Sequence, residues 1–170
     1  GWYKGKSMED VRRELGYARR VSLNSCRIWL SFEEYSKDPE AYIQRLKEYI
    51  HTAWEEFGIS TMPILWNGNL MDPKILEPSF WEEVGDAYVT RLVNGVWEEP
   101  GLIMWDIMNE PTCNEYQRGE TNPQLREQKR QTLWNFVRHY CQLVKALAPE
   151  TAVTIGHTFL EDVEPTADCV

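Results

Sequence analysis

Two periods of hydrophobic position organise this chain, one close to 3.6 residues and one of strand type. Ser7 and Asp10 have capping-box spacing, and Val11, Leu15 and Ala18 behind them share one helical face, which predicts a helix over about 8–21. Ser25–Ser31, reading SCRIWLS, is an apolar run of strand length with Arg27 inside it. Asp38-Pro39 pairs an N-cap with a proline at the first helical position. Ile43, Leu46, Ile50, Trp54 and Phe57 then stripe a second helix that Gly58 is placed to end. Thr61–Trp66, TMPILW, is the next strand, with Pro63 tolerable near its start. Ser79 and Glu82 form another capping-box pattern, and Val84, Tyr88, Leu92 and Val96 face one way behind it.

The most informative stretch is Leu102–Pro111, LIMWDIMNEP. Pro100-Gly101 precedes it, its apolar body reads as a buried strand, and Pro111 cannot continue a strand ladder. A carboxylate, Glu110, is therefore delivered where a buried strand opens into a loop, the edge at which α/β folds place their chemistry. After the polar loop 112–122 and Pro123, a long helix carries the stripe Leu133, Phe136, Val137, Tyr140, Val144 and Leu147. Thr151–Gly156 is a further strand, a short helical turn is expected near Leu160–Glu164, and Asp168–Val170 reads as the opening of another strand.

Strands alternating with long helices predict βαβ units and parallel strands. Strand-to-strand intervals of about 35–50 residues match βα units with loop insertions, and the fold class expected is α/β, an incomplete TIM (β/α)8 barrel. The chain would supply about the second to fifth barrel strands and the start of the sixth. No linker divides it, so residues 1–170 are read as part of one domain, and the ends as those of a piece of a longer polypeptide.

Charge narrows the partners. Eighteen basic and 27 acidic residues give −9, which argues against nucleic acid and anionic membranes. No run approaches the roughly 20 apolar residues of a membrane span. No amino-terminal signal pattern is visible, which says nothing if the chain is a piece. The four cysteines, Cys26, Cys113, Cys141 and Cys169, have no CxxC or metal-like spacing and point to a reducing compartment. Eight Trp and eight Tyr fit either core filling or the aromatic stacking surfaces of a sugar cleft. His51 and His139 fall inside helical stripes, so no metal site is expected, and no cofactor is implied.

The WDIMNEP motif resembles the acid/base strand of clan A glycoside hydrolases, and Pro111 makes it most like glycoside hydrolase family 5; WD-x-x-NE is also similar to family 10 xylanases. NSCRIWL, with Arg27 two strands earlier, resembles the family 5 strand whose arginine supports the nucleophile. The resemblance implies a retaining hydrolase of β-linked glycans of the mannan, cellulose or xylan class. Glu110 would be its acid/base, Asn109 its contact to the sugar 2-hydroxyl, and Arg27 part of its active site. The nucleophilic Glu would lie beyond Val170, so residues 1–170 alone are expected to be inactive. One departure stands out: the family's histidine at the end of the third strand is replaced here by Trp66 and Asn67.

Around these three, Trp66 and Asn67 are candidates for sugar stacking and hydrogen bonding, and His157 for a substrate contact. Each has a plainer alternative. Arg27 could form a structural ion pair with Asp106, Asn109 could cap a turn, His157 could be structural, and Trp29 is divided between core and cleft. A barrel that binds carbohydrate without cleaving it also remains open, since fold does not fix function.

Overall fold

Ser7 starts the first helix, α1 (Met8–Arg20), through the reciprocal capping box its spacing predicts. Its hydroxyl accepts the Asp10 amide, and the Asp10 carboxylate accepts the Ser7 amide. This computed structural model describes residues 2, 3 and 5–170. Strand β1 (Ser25–Trp29) follows, then α2 (Phe32–Lys37), a six-residue helix capped by Ser31 that is too short to show a periodic stripe. Asp38 caps α3 (Pro39–Phe57), and Gly58 ends it in the left-handed conformation at φ 62°. Then come β2 (Ser60–Asn67), the one-turn α4 (Pro78–Phe80), α5 (Asp86–Val96), β3 (Met104–Asn109), the short α6 (Glu115–Arg118), α7 (Pro123–Leu147) and β4 (Ala152–Gly156).

The four strands form one all-parallel sheet whose spatial order, β1-β2-β3-β4, is the chain order. Each crossover is helical, as parallel pairing requires. Helices α3, α5 and α7 cover one face. Leu46, Ile50, Leu92, Val137 and Val144 meet Leu65, Trp105 and Ile107 there, nearly all of them without solvent contact. Burying each such side chain is worth about 1.5–3 kcal/mol, so this layer carries most of the stability of the sheet. The other face carries Arg27 and Asp106, two charged residues within strands β1 and β3.

Two local expectations fail. Ser79 does not cap the helix before β3: the helix starts at Pro78, two residues earlier than a Ser79 cap would place it, without a side-chain cap, and passes through a π turn at Trp81–Gly85. A π turn adds a residue and rotates the remainder of the helix about its axis. Val84 accordingly lies outside the buried stripe, 40% exposed, and Gly85 takes the inward place, where any Cβ would overlap the Tyr140 phenol. The second failure is at Asp168–Val170, which opens no strand. Pro165 starts a 3-10 turn over Glu164–Cys169, Thr166 Oγ1 donates back to the Asp162 carbonyl at 3.1 Å, and Arg138 of α7 donates to the Pro165 carbonyl. Local bonds of this kind satisfy the backbone without a partner strand.

Among the described residues, no helix is long and apolar enough to cross a membrane, and no group of three or more His, Cys, Asp or Glu is placed to hold a metal ion.

Candidate active site

Strict alternation would put Asp106 and Asn109, three residues apart, on opposite faces of β3. Both nevertheless bond Arg27. The register of β3 against β4 shifts between Asp106 and Asn109, and this irregularity resets the phase. Ile107 and Met108 are both fully buried in the apolar core, and Asn109 returns to the side of Asp106. Strand β2 stays in step. Trp66 pairs with Met108 and Asn67 with Asn109, and Asn67 Oδ1 accepts Asn109 Nδ2 at 3.2 Å.

Arg27 is the hub of this network. Its Nε donates to Asp106 Oδ2 at 2.8 Å, and its Nη2 reaches the same oxygen and also Asn109 Oδ1 at 2.9 Å. The Asn109 amide is thus fixed at both ends, by Arg27 and by Asn67. Asp106 is 1% exposed. Burial pushes its carboxyl pKa above the ordinary value, against the downward pull of the Arg27 guanidinium. Gly156 leaves the space this needs, since a Cβ there would overlap Arg27 Nη2 and stand 3.2 Å from Asp106 Oδ2.

Glu110 leaves the strand with φ 51°, a left-handed conformation that costs a non-glycine residue about 1–3 kcal/mol and persists only where surroundings enforce it. The enforcement is visible. The Glu110 amide donates to the Gly156 carbonyl at 2.7 Å, and its own carbonyl accepts the Cys113 amide at 3.0 Å. Asn114 Nδ2 holds the Pro111 carbonyl at 2.6 Å, and Gln117 Nε2 holds that of Thr112 at 2.8 Å. The β2 loop presses on the same turn. The Gly68 amide donates to the Asn109 carbonyl at 2.7 Å, and a Cβ on Gly68 would stand 2.8 Å from Pro111 Cα. From that loop Asn69 Nδ2 reaches the Glu110 side chain itself, donating to Oε2 at 3.0 Å.

Arg27, Asp106, Asn109, Glu110 and His157 line one open cleft of about 360 Å3 at the carboxyl-terminal edge of the sheet. His157 Nε2 lies 2.8 Å from Thr166 Oγ1, whose own proton is directed to the Asp162 carbonyl. His157 Nδ1 is buried, with no partner among the described residues. Partial burial lowers the imidazole pKa, outweighing the pull of Asp162 and Asp106, and keeps the ring neutral.

Of the residues singled out in the sequence, Arg27, Asn109, Glu110 and His157 come together, and Asn67 joins them through Asn109. Trp66 does not. It is 4% exposed and packs edge-on against Tyr88 of α5 and Phe136 of α7, so most of its ring is given to the core. The reset of strand phase turns it to the helices. Trp29 is half exposed at the free edge of β1, with the Arg27 guanidinium 5.7 Å from its ring. Sequence reasoning missed Asn69, Asn114, Gln117 and the two close-approach glycines, Gly68 and Gly156. Gly68 and Asn69 sit in a loop, Gly156 ends a strand, and Asn114 and Gln117 cap and belong to the four-residue α6, too short for periodicity to carry a signal. Asp106 was visible only as an ion-pair partner.

The arrangement defines a class: an all-parallel α/β sheet with a carboxylate, an amide and a guanidinium gathered at the carboxyl ends of adjacent strands. Solved structures share the fold. A β-mannanase from the blue mussel Mytilus edulis aligns over 87% of this chain at TM-score 0.67 and 20% identity, and a β-1,4-mannanase from the sea hare Aplysia kurodai over 87% at 0.67 and 17%. An AHE enzyme from Alicyclobacillus herbarius aligns over 85% at 0.59 and 14%. The chain spans about half of each mannanase, 51% and 52%, and 36% of the third protein. No protein-family model and no curated protein matches the sequence.

Proposed function

We propose that the chain is part of a (β/α)8-barrel catalytic domain of a retaining glycoside hydrolase, in which Glu110 is the acid/base. The substrate class is a β-linked glycan: a β-mannan or mannoside, cellulose or xylan. The observation that carries this reading is Glu110, held in a left-handed turn beside the Arg27–Asn109 network at the carboxyl edge of a parallel sheet. The fold likeness to two β-mannanases supports it. In this reading Glu110 protonates the leaving oxygen and then draws a proton from the attacking water. A second carboxylate, on a barrel strand outside this chain, would attack the anomeric carbon from about 5 Å away. Asn109, fixed at both ends, presents its amide to the sugar 2-hydroxyl, and His157 offers a neutral ring at the rim.

The test is Glu110→Gln in the complete protein. Loss of a general acid costs about 10²–10⁴-fold on natural β-glycosides, and far less on aryl glycosides whose leaving groups need little protonation. Equal loss on both substrates, with bond cleavage rate-limiting, would remove Glu110 from the donor role. Failure of the complete protein to hydrolyse mannan, cellulose or xylan while still binding one of them would favour the barrel that binds without cleaving.

A further inference from the structure

Beside the Glu110–Thr112 turn lies a second cavity of about 350 Å3, whose lining includes Thr112, Arg118, Arg126, Arg130, Phe159 and the carboxylates Glu161 and Asp162. Three guanidiniums around one cavity are unexpected in a chain of net charge −9. Their partners differ. Arg130 is spent on Asp162, 1% exposed, at 2.9 Å, and that carboxylate also accepts the Thr112 hydroxyl. Among the described residues Arg126 bonds backbone oxygens alone, the Glu120 carbonyl at 2.9 Å and that of Arg118 at 3.5 Å. Arg118 has one side-chain partner among the described residues, the Phe159 ring 5.1 Å away. Among the described residues two of these guanidiniums thus lack carboxylate partners, while Glu161 is an exposed carboxylate in the same lining. A cavity of this size is in the range of small-ligand sites. Guanidinium edges bind carboxylates in a forked, charge-assisted geometry, and an aromatic ring beside them offers an apolar face.

We propose that this cavity binds the uronate substituent of a branched β-glycan whose main chain occupies the Glu110 cleft. The proposal rests on the glycosidase reading and adds to it the class of substrate. Adjacency argues for a sugar-borne carboxylate over a free anion. His157 and Thr158 line the Glu110 cleft and Phe159 lines this cavity, while on the other side Glu110 lines the first and Thr112 the second. Arg118 and Arg126 are the specificity contacts, Phe159 the sugar-stacking surface, and Arg130 with Asp162 the fixed wall.

The experiment is equilibrium binding of sodium glucuronate, glucose and inorganic phosphate to the complete protein. Glucuronate should bind, and glucose and phosphate should each bind about tenfold more weakly or worse, the value of one charged hydrogen bond. Arg118→Gln and Arg126→Gln should each weaken glucuronate by a similar factor, and Glu161→Gln should strengthen it by removing the opposing charge. Arg118→Gln should lower kcat/KM on uronate-branched polymers by a larger factor than on unbranched neutral ones. No glucuronate binding, equal binding of glucose, or indifference to all three variants overturns the site. Phosphate binding as tight as glucuronate replaces the sugar with a free anion and also overturns the proposal. If glucuronate binds as expected but no Glu110-dependent hydrolysis is found, the glycosidase reading fails while an acidic-sugar site stands.

Discussion

The Arg27–Asp106 pair allows structure and chemistry to be separated in one mutant cycle. Asp106 is 1% exposed and Arg27 only 31%, so the pair is largely removed from water. Arg27→Met would leave a buried carboxylate without its cation, a change that typically costs about 3–5 kcal/mol. The Arg27→Met/Asp106→Leu double variant removes the stranded charge as well, and well-packed apolar replacements of buried pairs come out within about 1 kcal/mol of the parent or better. Stability should therefore fall in the single variant and return in the double. Activity should not return, because both variants lose the Arg27 Nη2 bond that fixes Asn109. Misplacing such a group by about 1 Å costs about 10²-fold in rate, which is the deficit expected in kcat/KM for both. The sign of the pH effect comes from Asp106. Its folded pKa is raised, so the folded state binds the proton more readily than the unfolded chain. The penalty of ionising it is present above the folded pKa and absent below the unfolded value. The defect of Arg27→Met should thus shrink as pH falls through the folded pKa. Urea unfolding across pH, with kcat/KM on one β-glycan, measures all of it. Recovery of activity together with stability in the double variant would refute the functional role of Arg27, and a single-variant cost below about 1 kcal/mol would show the pair to be solvated.

Trp66→Ala should destabilise the complete protein by about 3–5 kcal/mol, the usual cost of emptying a tryptophan site, and Trp66→Phe should leave KM unchanged, because the ring packs on α5 and α7 rather than in the cleft. A raised KM in a stably folded Trp66→Phe variant would restore it to the substrate site. Gly156→Ala forces a Cβ onto Arg27 Nη2 and should lower kcat/KM more than it lowers thermal stability, whereas an unchanged kcat/KM would mean the guanidinium has free space nearby. His157 has a folded pKa below its ordinary 6.5, so the unfolded chain binds its proton more readily; stability is lost as pH falls below that value, and His157→Gln should flatten this part of the urea-midpoint profile.

Capping and stripe signals located α1, α3 and α7 because each helix buries one apolar stripe and is bounded by residues with a single backbone role: Ser7 for α1, Asp38 and Gly58 for α3, and Pro123 for α7. The same signals failed at Ser79, where a π turn rotates the helix and Gly85 must face Tyr140. That requirement comes from α7, more than fifty residues away, and no local pattern encodes it. They failed at Asp168–Val170 for a related reason: an apolar end after an acidic residue fits a strand, but Pro165 and Thr166 close a turn first.

The site shows the same division more sharply. Glu110 and Asn109 could be located from a strand ending in proline, but the side they face could not. Counting by twos from Asp106 reaches Glu110 and sends Asn109 to the opposite face; the same count on β2 sets Trp66 and Asn67 on opposite faces without saying which faces the cleft. The register shift between Asp106 and Asn109 decides it, turning Met108 and Trp66 to the core together and bringing Asn67 and Asn109 to Arg27. Once Asn109 is on that side, the next residue cannot continue inward as a strand. The left-handed turn at Glu110 moves the backbone off the ladder while its amide still bonds the Gly156 carbonyl. Two strands have to change phase together, because a slip in one alone would set Asn109 against an apolar partner and leave its amide unpaired, at a cost of about 1–3 kcal/mol. The glycines fit this geometry: Gly156 clears the guanidinium, and Gly68 lets the β2 loop close on Pro111 and bring Asn69 to the Glu110 carboxylate. A carboxylate fixed through its backbone, its neighbour and one of its own oxygens is held for a specific geometry, and that cost in strain is what separates Glu110 from an ordinary charged residue at a strand end.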